Sequence, residues 1–83
     1  MNKNMVKNTP LYSMKNKKFI EVSKNCGCYS CLALFPPTEI TEWTDSGLTA
    51  LCPKCKVDSV LPEVEGLEIT LDNMKIFHKY WFE

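Results

Sequence analysis

The chain has 83 residues, ten of them basic and ten acidic, and its formal net charge is zero. That length allows one domain with a small core, which is marginal on burial alone and calls for a metal, disulfides or a partner. No stretch approaches the ~20 apolar residues of a membrane helix, and Met1 to Asn8 has no apolar run of the signal-peptide kind, so a cytoplasmic protein is expected.

Residues 1–25 carry six lysines and one glutamate, whereas residues 26–83 carry four lysines and nine acidic residues. Residues 1–18 hold few packing side chains and read as a flexible basic extension. Phe19-Ile20-Glu21-Val22 alternates like a strand, and Asn25-Cys26-Gly27 is turn chemistry.

Leu32 to Phe35 reads as a short apolar segment ended by Pro36-Pro37. Thr38 to Trp43 reads as a short helix, with Thr38 as cap, Glu39 and Glu42 near its positive end, and Ile40 and Trp43 on one face. Asp45-Ser46-Gly47 is a turn, and Leu48 to Leu51 and Val57 to Leu61 read as strands. Pro62 to Gly66 is a connector. From Thr70, a plausible N-cap, the period becomes helical: Leu71, Met74, Phe77, His78 and Trp81 form one stripe.

The chemistry lies in two pairs, Cys28-Tyr29-Ser30-Cys31 and Cys52-Pro53-Lys54-Cys55, separated by twenty residues. A two-residue spacer lets one tight turn present two sulfurs to one ion, and zinc takes four such ligands in a tetrahedron. The expectation is one structural zinc per chain, held by Cys28, Cys31, Cys52 and Cys55, with Cys26 as a buried or outer thiol. In a reducing compartment such cysteines more often bind metal than cross-link. Redox pairs usually open a helix in a βαβ unit, unlike these matched pairs flanked by strands. A catalytic zinc keeps an open position that four thiolates close. The single histidine, His78, reads as a helix-stripe residue rather than a ligand or base.

The fold expected is α+β: a small zinc ribbon over 19–83, with a short antiparallel sheet, a short helix between the knuckles and a C-terminal helix. Tyr80, Trp81 and Phe82 are consecutive, and a helix cannot bury three neighbours on one face. Trp81 is expected to pack inward with Met74 and Phe77, near Trp43. Trp43, Tyr80 and Phe82 are then candidate contacts for another protein or for a second copy of the chain. The competing reading is nucleic-acid binding through the basic extension, Lys54 and Lys56. The acidic remainder of the chain and the absence of arginine weigh against it.

The order Cys28-x-x-Cys31, Phe35-Pro36-Pro37-Thr38-Glu39-Ile40-Thr41-Glu42-Trp43, Gly47-Leu48-Thr49-Ala50-Leu51-Cys52-Pro53-Lys54-Cys55, Asp58-Ser59-Val60 and His78-Lys79-Tyr80-Trp81-Phe82 resembles a group of small cytoplasmic zinc-ribbon proteins of bacteria and their phages. The resemblance covers about Cys26 to Phe82. It implies a fold and a metal but no activity, because the group is largely of unassigned function. One departure is that ribbons usually place Gly after the second knuckle, where this chain has Lys56. The reading that follows is a non-catalytic adaptor or inhibitor acting through protein contacts.

Overall fold

A computed structural model describes residues 3–83; Met1 and Asn2, part of the expected extension, lie outside the described residues. Three five-residue helices come first: α1 (Lys3–Lys7), α2 (Thr9–Ser13) and α3 (Lys17–Glu21). Strand β1 (Cys26–Cys28) and strand β2 (Leu34–Phe35) follow, then a 3-10 turn at Pro37–Glu39, β3 (Trp43–Thr44), β4 (Thr49–Ala50) and β5 (Val60–Leu61). The chain ends in α4 (Leu71–Phe82). This is a small α+β protein with short antiparallel sheets. Among the described residues, no helix is long and apolar enough to cross a membrane.

The larger sheet has the order β2-β1-β5, antiparallel throughout, with Gly27 opposite both Leu34 and Leu61. Successive strand residues point to opposite faces. Cys26, Cys28, Phe35 and Val60 enter one core with Ile20, Ile40, Ala50 and Cys52. Leu61 enters a second core with Tyr29, Leu67, Met74 and Phe77. Both faces of β1 are therefore covered, and all three of its residues are buried.

Helix α4 begins where Thr70 Oγ1 accepts a hydrogen bond from the Asn73 N–H at 3.1 Å. Asp72 in its first turn complements the helix dipole. The helix buries Met74 and Phe77 against the sheet. Gly27 lets it come close: a Cβ there would lie 2.6 Å from Met74 Sδ and 3.2 Å from Ile69 Cγ2. The smaller sheet is the hairpin of β3 and β4, pairing Trp43 with Ala50 and Thr44 with Thr49. Its turn takes positive φ at Asp45, Ser46 and Gly47.

Several expectations are corrected. Within residues 3–18 the chain is helical and packed rather than loose, and the expected boundary after residue 18 falls inside α3. Asn16, 1% exposed, is the reason. Its Nδ2 donates to Tyr12 O at 3.0 Å and Val60 O at 2.9 Å, while Oδ1 accepts from the Ala50 N–H at 3.3 Å. Helices of one turn are not stable alone, so these are held by such tertiary bonds.

Residues 19–22 are not a strand, because only Ile20 goes inward; Val22 is 80% exposed. Cys26 and Gly27 belong to β1 rather than to a turn. Thr38 to Trp43 is not a helix: only a 3-10 turn at Pro37–Glu39 forms, Thr38 lies inside it rather than capping it, and Trp43 enters a strand. Ile40 and Trp43 still pack on the same core. Trp81 does not pack inward near Trp43. It is 40% exposed, while Trp43 packs on the other core from Met74 and Phe77.

Candidate metal centre

The two cysteine pairs sit on backbone turns of the same design. In the first, the Cys28 N–H donates to Ala33 O at 2.9 Å and the Leu32 N–H donates to Cys28 O at 2.9 Å. In the second, the Cys52 N–H donates to Val57 O at 3.0 Å and the Lys56 N–H donates to Cys52 O at 2.9 Å. The residue after each pair closes the turn with positive φ, 69° at Leu32 and 67° at Lys56. Lys56 thus stands where the left-handed conformation favours glycine, and Leu32 stands at the matching place in the first turn.

The turns face each other and bring four sulfurs together. Cys28, Cys31, Cys52 and Cys55 place all Sγ atoms within 4.8 Å of one another. Cys28 Sγ lies 3.6 Å from Cys55 Sγ, and Cys31 Sγ lies 3.7 Å from Cys52 Sγ. A disulfide needs ~2.05 Å, and none of the five cysteines forms one. A tetrahedron with zinc–sulfur bonds of ~2.3 Å has edges of about 3.8 Å. The two measured edges fit that figure, so the residues present suit a four-coordinate soft metal.

The donors around the sulfurs fit a bound cation as well. The Cys31 N–H points to Cys28 Sγ at 3.5 Å; the Lys54 and Cys55 N–H groups point to Cys52 Sγ at 3.4 and 3.5 Å. Ser59 Oγ, buried, lies 3.1 Å from Cys28 Sγ. Burial pushes the Cys28 thiol up, against the Ser59 hydroxyl and nearby N–H groups that favour the thiolate. Burial also raises Cys31. At Cys52 burial acts in the same direction, but the Cys55 and Lys54 N–H groups together with the Cys31 and Cys28 thiols hold the thiol below its ordinary value. A metal entering the cluster therefore displaces protons, and binding weakens in acid.

Cys26 stands apart from the cluster. It lies buried in β1, and its thiol is pushed up to about 12 by burial and by the Glu63 carboxylate. His78 is not a fifth ligand: its Nδ1 lies 3.0 Å from Tyr29 O, and its ring stacks on Phe82 at 5.4 Å.

The candidate contact residues do not form one patch. Trp43 is half-buried with Lys17 Nζ 5.7 Å from its ring centre. Tyr80 and Phe82 are 54% and 50% exposed at the end of α4, where Phe82 leans on Tyr29. A shallow groove of about 460 Å³ lies beside Tyr80, lined by Val6, Ile76 and Lys79. Lys54 and Lys56 are engaged by carboxylates, with Glu39 at 3.1 Å and Glu42 at 2.8 Å. Sequence reasoning passed over Ser59 and Leu32. The five-residue correspondence of the two turns could have indicated Leu32, whereas nothing local marks Ser59.

Compared with known proteins, the chain matches no family model, no curated protein and no solved structure.

Proposed function

We propose that this is a small zinc ribbon that carries one structural zinc and acts without catalysis, as an adaptor or inhibitor that binds another protein. The observation that carries the metal reading is the meeting of four thiols at tetrahedral edge lengths. Zinc is the natural occupant of an all-sulfur tetrahedron. Four thiolates complete its coordination, so the ion braces the fold rather than activating water. The resemblance of the motif order to small bacterial and phage zinc ribbons agrees with the same reading.

The protein-binding part rests on the end of α4. Tyr80, Trp81 and Phe82 expose aromatic surface beside the Val6 and Ile76 groove, and aromatic side chains of this kind often anchor interfaces. Nucleic-acid binding is the second reading, and the pairing of Lys54 and Lys56 with Glu39 and Glu42 weakens it, because phosphate contacts need free clustered cations.

Native mass spectrometry and capture from cell lysate, with and without nuclease, test both parts. One zinc per chain and a nuclease-resistant partner lost in Tyr80→Ala are expected. Zero metal sinks the first part, and capture abolished by nuclease reverses the order of the two readings.

A further inference from the structure

We propose that Ser59 is a positioning residue for the metal: its hydroxyl donates a hydrogen bond to the Cys28 thiolate, which fixes that sulfur's orientation and offsets part of the negative charge of a four-thiolate site. The inference rests on the four-cysteine reading above. Ser59 Oγ lies 3.1 Å from Cys28 Sγ, and the residue is 2% exposed, so water does not compete for the bond. A metal-bound thiolate carries no proton and can only accept. The proton between these atoms then belongs to the serine.

The geometry of the sheet fixes the pair. Ser59 precedes β5, whose Val60 pairs with Cys28 in β1. The Tyr29 N–H donates to Ser59 O at 3.1 Å, locking the backbone beside the sulfur. Cys28 Sγ takes backbone N–H donors from Cys31, at 3.5 Å, and from Ser30, as Cys52 Sγ takes those of Lys54 and Cys55. The Ser59 hydroxyl adds to these a side-chain donor from outside the turn. It comes from the residue just before β5, so it also couples sheet closure to metal binding. Groups that orient metal ligands in this way typically contribute 10–100-fold in affinity.

The test compares wild type, Ser59→Ala and, as a control whose hydroxyl bonds Phe19 O and the Glu63 N–H rather than a sulfur, Ser23→Ala. Each is loaded with cobalt for its spectrum and with zinc for competition against a chelator. Ser59→Ala is expected to lose about 10–100-fold in zinc affinity. Its sulfur-to-cobalt charge-transfer band should move to longer wavelength, since an unbonded thiolate is easier to oxidise. Ser23→Ala should lower the melting temperature and leave the band in place. A second measurement needs no substitution: in cadmium-113-loaded wild type, the Ser59 hydroxyl proton should exchange slowly and show scalar coupling to cadmium through Cys28. An unchanged band and affinity in Ser59→Ala, or a freely exchanging uncoupled hydroxyl in wild type, overturns the proposal. Failure of wild type to bind any of the three metals overturns the four-cysteine reading itself.

Discussion

Asn16 Nδ2 donates to Val60 O at 2.9 Å across 44 positions of sequence, so the helical N-terminal segment is tied to the central sheet. The same amide satisfies Tyr12 O and receives the Ala50 N–H, joining both sheets through one buried side chain. Every buried side-chain nitrogen and oxygen among the described residues has a partner.

Asn16→Ala should cost about 2–3 kcal/mol, because it leaves buried backbone groups unpaired at roughly 1–3 kcal/mol each. Denaturant unfolding of the metal-loaded protein checks this. Deleting residues 1–18 should destabilise the chain by at least as much. A truncated protein as stable as the full chain would show that the segment is only a leader.

Gly27→Ala should cost about 1–3 kcal/mol, the usual range for overpacking. The added methyl would lie 2.6 Å from Met74 Sδ, 3.1 Å from its Cγ and 3.2 Å from Ile69 Cγ2. Met74→Ala alone should cost about 2–5 kcal/mol. In the double variant the losses should fall short of additive, since the second change removes the clash made by the first. Additive melting losses would place the strain elsewhere.

Metal removal should unfold the sheet region. Cys52→Ser should lose metal and fold together, whereas Cys26→Ala should keep one metal per chain. Circular dichroism after chelation, paired with metal analysis, decides between a brace and a dispensable ion.

Cys26 also gives a pH signature. Its thiol ionises near 9.0 when unfolded and near 12 in the folded chain. A folded pKa raised above the unfolded one contributes stability that is complete below about pH 9 and is lost as the pH rises toward 12. The protein should therefore weaken between those values, and Cys26→Ala should flatten the slope. Denaturant midpoints at pH 8, 9 and 10 test it; parallel slopes count against the assignment.

At the end of α4, Trp81 Nε1 donates to Val6 O at 3.1 Å and its ring meets Tyr80 edge-on. Trp81→Ala should cost about 1–2 kcal/mol, below the ~3–5 kcal/mol of a fully buried large aromatic. Faster amide exchange near Val6 should accompany it. Tyr80→Ala should stay within about 0.5 kcal/mol of wild type, as surface changes do. Thermal melts and hydrogen exchange of both variants settle which ring is structural.

The sequence by itself determined the features whose cause is local. Two residues between cysteines shape a turn, so spacing alone marked Cys28, Cys31, Cys52 and Cys55 as the side chains that converge. Thr70 and the Met74–Phe77 spacing likewise carried α4, because a cap and a helical face are set within a few residues. Tertiary structure alone decided the rest. Asn16 is polar and sits in a lysine-rich stretch, yet it is buried because Val60 and Ala50 come to it from distant positions. Gly27 looked like a turn residue, but it is a strand residue that admits a helix. Ser59 and the exposed Trp81 have the same explanation. Whether a side chain is inside depends on what the rest of the chain brings against it, and periodicity within one segment does not contain that information.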